Sequence, residues 1–262
     1  MKNRRLGIAL GACALALLSS PAGPEPRPDR FDTVVIDAGH GGENQGARGV
    51  GGLLEKDLVL DVSLRLAKRL PPRGIGVVLT RSDDRFVSLE QRTSIANDVR
   101  GDLFISIHAN ASRSRSARGI ETFFVSLEAS DEAAQRLANL ENQAFAGSGG
   151  VAKIAEDPLL GILGDLIATE HLVESQEFSG LVQSRLASGR SRGVKQAPFV
   201  VLMGVQMPAA LVEIGFLTNP ADESDLRSSA ERDRLADGLA EAVVEFAKRY
   251  DARRGAAGRG SD

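Results

Sequence analysis

Apolar and polar positions along this chain follow two rhythms. Six short runs, VVIDAG (34–39), IGVVLT (75–80), DLFISIH (102–108), IETFFV (120–125), PFVVLM (198–203) and ALVEIGF (210–216), are rich in β-branched or aromatic residues and bounded by turn residues. That pattern predicts buried strands. Between them the apolar spacing lengthens to that of helices. Leu58, Val62, Leu66 and Leu70 recur every fourth residue after Glu55, Ser88 and Gln91 form a capping-box pattern ahead of 89–98, and Leu235, Leu239 and Val243 stripe a final helix. Strands and helices in alternation imply an α/β protein, a three-layer α/β/α sandwich around a largely parallel or mixed sheet, in one domain over residues 32–250. One stretch departs from the rhythm. Between the strands at 120–125 and 198–203 lie about seventy weakly patterned residues, including DEAAQRLANLENQAFA and GILGDLIATEHLVES, where a compact crossover needs far fewer. Residues 128–190 therefore read as a helical insertion.

The two ends of the chain read differently. Lys2, Arg4 and Arg5 precede LGIALGACALALL, and SSPAGPEPRP follows, which is the order of a secretory signal. Residues 1–20 are expected to be a signal peptide that exports the protein to the periplasm or cell envelope. The apolar run is too short to serve as a transmembrane span. Residues 21–31 look like a tether, and 251–262, with three glycines, like a flexible tail. Cys13, the only cysteine, falls inside the leader, so the mature domain has no disulfide. The LGAC around it is similar to a bacterial lipobox, which gives Cys13 the alternative role of a lipid anchor. A chain of 262 residues, 42% hydrophobic and 26% charged, has the composition of a soluble globular protein with room for one core. Its net charge of −3, without a basic stripe, excludes nucleic acid as a partner.

Candidate chemistry starts from scarcity, because the chain has three histidines. His40 follows the first strand and precedes Gly41 and Gly42, and His108 closes the third. In α/β sheets ligands gather beyond the carboxyl ends of parallel strands, where both imidazoles would project. Glu55 opens a helix behind the glycine-rich GARGVGG and can point into the same space. Two imidazoles and a carboxylate make a three-ligand zinc set with the fourth position left for water. Each also has a plainer reading: a strand-end histidine can be a satisfied polar residue, and a glutamate in a first helical turn is favoured by the helix dipole. Asp37 either orients the His40 imidazole or accepts backbone hydrogen bonds at the turn. His171 reads as a solvated helix residue. Glu213 stands in an apolar strand, where its charge needs a metal, a proton or a partner, unless it points outward from an edge strand. A buried glutamate beside a metal site is the general base that zinc hydrolysis needs.

Together, VVIDAGHGG (34–42), Glu55, LTRSDDRFVSLEQRTSIAN (79–97), DLFISIHANA (102–111), RGIETFF (118–124) and ALVEIGFLTNPADE (210–223) resemble, in order and across nearly all of 32–250, the zinc-dependent N-acetylmuramoyl-L-alanine amidases of the type 3 family. The resemblance implies a mixed, six-stranded sheet, one zinc ion per chain on His40, Glu55 and His108, and Glu213 as catalytic glutamate. It also implies hydrolysis of the bond between N-acetylmuramic acid and L-alanine in peptidoglycan, in cell-wall remodelling and daughter-cell separation. Division amidases of this family carry a helix that covers the zinc and is displaced by a LytM-type activator protein. By that likeness a helix within 128–190 autoinhibits the enzyme, with Glu132 as a fourth zinc ligand and Glu141 as the alternative. The rival readings are another zinc peptidase or amidohydrolase acting on wall peptides, and an inactive peptidoglycan-binding regulator.

Overall fold

A computed structural model of the chain describes residues 30–145, 169–187 and 189–257. The expected signal peptide, Cys13, nearly all of the tether and the centre of the insertion (146–168) lie outside the described residues, as do residue 188 and 258–262. No described helix is long and apolar enough to cross a membrane.

Six strands, β1 (Thr33–Ala38), β2 (Gly76–Leu79), β3 (Leu103–Asn110), β4 (Ile120–Val125), β5 (Ser191–Ala197) and β6 (Ala209–Phe216), form one sheet in the order β2-β1-β3-β6-β4-β5. Neighbours from β2 to β6 run parallel, β4 joins β6 antiparallel, and β5 joins β4 parallel. The sheet is therefore mixed. Helices α1 (Glu55–Arg69), α4 (Thr169–Leu186) and α7 (Ser229–Ala257) cover one face, where Leu58, Val62, Leu66, Phe178, Leu239 and Phe246 share a core with Ile36, Ile105 and Val212. On the other face α2 (Leu89–Asp98), α3 (Glu132–Phe145) and α5 (Val200–Met203) bring Leu89, Ala96, Leu137 and Leu202 against Phe104, Phe123 and Leu211. A short α6 (Pro220–Arg227) follows β6.

Side-chain alternation decides which face carries polar chemistry. In β3, Leu103, Ile105 and Ile107 pack under α1 and α7 while Phe104 packs under α2, so Ser106 and His108 also point to the α2 side. By the same count Asp37 in β1, Glu213 in β6 and Glu121 in β4 share that side. Local signals place the helices. Glu55 and Asp57 open α1 and Lys68 and Arg69 close it, matching the helix dipole. At α2 the capping box is formed: Gln91 N–H donates to Ser88 Oγ at 3.2 Å and Ser88 N–H to Gln91 Oε1 at 2.9 Å.

Two expectations need correction. PFVVLM is not a strand: Val200–Met203 is a helical turn, and the fifth strand is the preceding SRGVKQA. Pro198 cannot donate to a ladder, and a six-residue apolar run does not by its pattern separate strand from buried helix. The true strand is a half-exposed sheet edge whose polar composition hides it. The tail expected from residue 251 is also misplaced, since α7 continues through Ala257 and Asp251 Oδ1 accepts from Phe31 N–H at 2.7 Å.

Candidate metal centre

His40 leaves β1 in a left-handed conformation (φ 58°), followed by Gly41 (φ 120°) and Gly42 (φ 58°). Such a φ is costly for a residue with a side chain, so the surroundings must impose it. They do so through two fully buried arginines. Arg92 donates to the His40 carbonyl at 2.7 Å, to the Ala38 carbonyl at 2.7 Å and to Asp37 Oδ1 at 2.5 Å. Arg81 donates to the carbonyls of Ala38 at 2.9 Å and Gly39 at 2.7 Å. Asp37 accepts further from Thr80 and Ser106, and although burial pushes its carboxyl upward, Arg92 and these hydroxyls hold it below the ordinary range. Asp37 thus neither touches the imidazole nor caps a backbone turn; it locks the arginine that holds the turn.

The turn delivers the His40 ring to Glu55 and His108. His40 Nε2 lies 2.9 Å and His108 Nδ1 3.2 Å from Glu55 Oε1, and the two rings meet edge to face at 4.9 Å. One donor atom from each residue lies within 4.8 Å of the others, and among the described residues this is the one cluster of that kind. Glu55 is fixed by Ala109 N–H at 2.9 Å and Ala47 N–H at 2.7 Å. His40 Nδ1 faces Asn44 Oδ1 at 3.0 Å, and because that oxygen also accepts from Gly46 N–H, Nδ1 carries the hydrogen and Nε2 is left to the cluster. Backbone clearance matters at two points: a Cβ on Gly39 would lie 2.5 Å from the His108 ring, and one on Gly46 2.5 Å from Glu55 Oε2. With no ion present, burial lowers the His40 pKa, but the Glu55 charge outweighs it and raises the imidazole to about 9. Glu55 in turn is driven well below the carboxylate range by the histidines against its own burial.

Two more carboxylates approach this cluster. Glu213 is in register with His108 on one side and Glu121 on the other, deep in the sheet and wholly buried, not on an edge strand. Neither of its oxygens has a hydrogen-bond donor among the described residues. Burial, then the charges of Glu55, Glu141 and Glu121, push its pKa well above the ordinary value. Glu141, on α3, sets Oε2 at 3.3 Å from His108 Nδ1 and 3.5 Å from His40 Nε2. Glu132 does not reach the cluster: its side chain is 93% exposed and pairs with Arg136. The two glutamates are nine residues apart, half a turn out of phase, so a helix that faces one to the sheet turns the other to solvent. His171, half-buried, faces Glu174 on its own helix at 3.7 Å.

The donor set fits a small divalent cation. Ligand bonds near 2.0–2.2 Å in a tetrahedron put neighbouring donor atoms about 3.3–3.6 Å apart, and Glu55 Oε1 stands 2.9 and 3.2 Å from the two imidazole nitrogens, a little inside that spacing. A cleft of about 630 Å³ opens onto the cluster, walled by Glu43, Asn44, Phe86, Asn110, Leu140 and Glu141. Arg81, Arg92 and Asn44 escape a reading of the sequence. The two arginines stand in the LTRSDDRFVSLEQR motif, but nothing local says they fold inward. Glu141 is visible there only as the alternative to Glu132.

The same family emerges from comparison with known proteins. A family model described as N-acetylmuramoyl-L-alanine amidase matches residues 34–245. The N-acetylmuramoyl-L-alanine amidase AmiA of Escherichia coli is 36% identical over 222 residues, covering 83% of this chain and 77% of that protein. The uncharacterised protein YqiI of Bacillus subtilis is 35% identical over 243 residues, covering 93% and 98%. Among solved structures, the catalytic domain of the N-acetylmuramoyl-L-alanine amidase CwlV from Bacillus (Paenibacillus) polymyxa is similar with a TM-score of 0.62 at 29% identity, over 82% of this chain and 98% of that one.

Proposed function

This chain belongs to the N-acetylmuramoyl-L-alanine amidase family and is a peptidoglycan amidase, and on that premise we propose that His40, Glu55 and His108 hold one zinc ion while Glu213 manages the proton of the attacking water. The observation that carries this reading is the meeting of three donor atoms within 4.8 Å beside a buried carboxylate that accepts no hydrogen bond from the described residues. A zinc ion held by these three residues would supply Lewis acidity for the amide carbonyl and would lower the pKa of water to roughly 7.

The remaining work falls to the chain's own residues. Glu213 takes a proton from the attacking water at a carboxylate oxygen and returns it to the L-alanine nitrogen as the C–N bond breaks. Burial and the neighbouring carboxylates raise its pKa from the ordinary value, and a group that must accept and then donate is helped by a shift in that direction. Asn44 keeps the His40 hydrogen on Nδ1, and the N–H groups of Ala47 and Ala109 hold Glu55 in place. The products are a glycan strand and a free stem peptide. The open cleft suits a polymer.

Two further parts of the reading concern control and place. Helix α3 sets Glu141 against the same two imidazoles as Glu55, where it acts as a fourth ligand that excludes water and substrate until a partner of the LytM type draws the helix away. The enzyme works in the cell envelope, exported by its leader, in wall remodelling and separation of daughter cells. Metal analysis with sacculus digestion tests the core of the proposal. Glu213→Gln should retain one zinc per chain and lose activity by at least about 100-fold. Full activity in that variant would remove Glu213 from the mechanism, and mass analysis showing cleavage at another amide would replace the substrate assignment.

A further inference from the structure

Beside Glu213 lies a second buried carboxylate that the proposed hydrolysis does not use. Glu121, buried in β4 opposite Glu213, accepts at Oε1 from Arg192 Nε at 2.8 Å and Lys195 Nζ at 2.8 Å, and at Oε2 from Asn110 Nδ2 at 3.1 Å. The two cations are not equivalent. Lys195 is mostly buried and shared with Asp131 at 3.1 Å, so both its neighbours are anions. Arg192 is 35% exposed and its guanidinium lies 5.1 Å over the Phe216 ring. Its two terminal nitrogens donate to no acceptor among the described residues, so the outer edge of the fork is held in orientation and left for an acceptor from outside.

Glu121 joins Arg192 to the cleft wall. Asn110 walls the cleft and also binds Glu121, so no more than roughly 8 Å separates Asn110 Nδ2 from Arg192 Nε, given two hydrogen bonds and the width of one carboxylate. Arg113, Arg115 and Arg118 are exposed on the loop from β3 to β4, Arg118 paired with Asp222 at 3.6 Å, whereas Glu43 stands in the cleft wall itself.

The substrate has a matching asymmetry. The muramic acid carboxyl is consumed in the scissile amide, so the sugar side carries no charge nearby. On the peptide side, the residue after L-alanine bears a carboxylate. Two residues reach about 7 Å at 3.3–3.6 Å each, which falls within the upper limit of roughly 8 Å between Asn110 Nδ2 and Arg192 Nε set by their shared carboxylate.

Resting on the amidase reading above, we propose that Arg192, held by Glu121 and Phe216, is the subsite that recognises the carboxylate of the second residue of the stem peptide. Arg192 is then a specificity residue that sets which peptides are released, while Glu121 is its positioning residue.

The test compares two soluble muropeptides that differ only at that position, one with the free carboxylate and one with a carboxamide. Zinc-loaded wild type should prefer the free acid by about tenfold or more in kcat/KM, as for a charge-assisted hydrogen-bonded pair, with the difference in KM. In Arg192→Ala the ratio should fall towards one, and Arg192→Lys, which keeps the charge but not the fork, should retain only part of it. A wild-type enzyme indifferent to amidation would overturn the assignment without any variant. So would Arg192→Ala that folds, by its thermal transition, and keeps the full preference. If neither wild type nor Glu141→Ala cuts either muropeptide, the amidase reading fails first and the subsite falls with it.

Discussion

Arg92 controls the centre without touching any of the three proposed ligands through their side chains. Its guanidinium joins Asp37, Ala38, Val87 and the His40 carbonyl, all inside the protein. Removing one partner of a buried ion pair costs about 3–5 kcal/mol because the other charge is left without compensation. Arg92→Met should therefore destabilise by that order in chemical denaturation, and Arg92→Lys by a similar amount, since a point charge cannot serve four acceptors in one plane. Adding Asp37→Asn to Arg92→Met should recover part of the stability but not zinc affinity, because the His40 turn stays unheld; recovery of both would mean that the pair acts only on stability. The residue scale also shows what a sequence conceals. His40 and His108 stand out because histidines are few and both end strands, whereas Asp37 and Arg92 are 55 positions apart and only the fold joins them.

At the scale of elements, α3 shows how a pattern can be read too coarsely. Glu132 looks the better capping carboxylate than Glu141 along the sequence because it lies in the more acidic stretch. Buried Ala134, Leu137 and Ala138 mark the core-facing stripe, and the next position of that i, i+3, i+4, i+7 series is residue 141. A glutamate in an apolar stripe was the legible signal. The strands were readable for the converse reason: β1, β3 and β6 are buried on both faces and show as continuous apolar runs, while β5, an edge, does not. The role proposed for α3 gives a direct expectation. Glu141→Ala should raise the initial rate on purified sacculi by about tenfold, the size of a typical coupling of 1–2 kcal/mol, and Glu132→Ala should leave it unchanged. Equal rates in wild type and Glu141→Ala would show that α3 merely packs on the sheet.

For the whole molecule, the three proposed ligands come from the turn after β1, the start of α1 and the end of β3, so a shared ion ties a covering helix to two central strands. Without the ion, the protonated His40 and ionised Glu55 make that tie. The His40 pKa of about 9 exceeds its ordinary 6.5, so the stabilisation is fully present below pH 6.5 and is lost as pH rises through about 9; the difference is worth up to about 3 kcal/mol. Zinc must displace that proton. Its apparent affinity should therefore strengthen about tenfold per pH unit from 6.5 to 9 and then level off. Zinc at about a thousand times its Kd adds roughly 4 kcal/mol, or about 10 °C in Tm for a domain of this size. Calorimetry with and without a chelator at pH 6.5, 7.5 and 8.5, at one fixed zinc concentration, should show a shift that widens with pH as the ion-free form weakens and the ion binds more tightly. His40→Ala should lose most of the shift and its dependence on pH. A shift of constant size across that range, or one undiminished in His40→Ala, would place the ion elsewhere in the molecule.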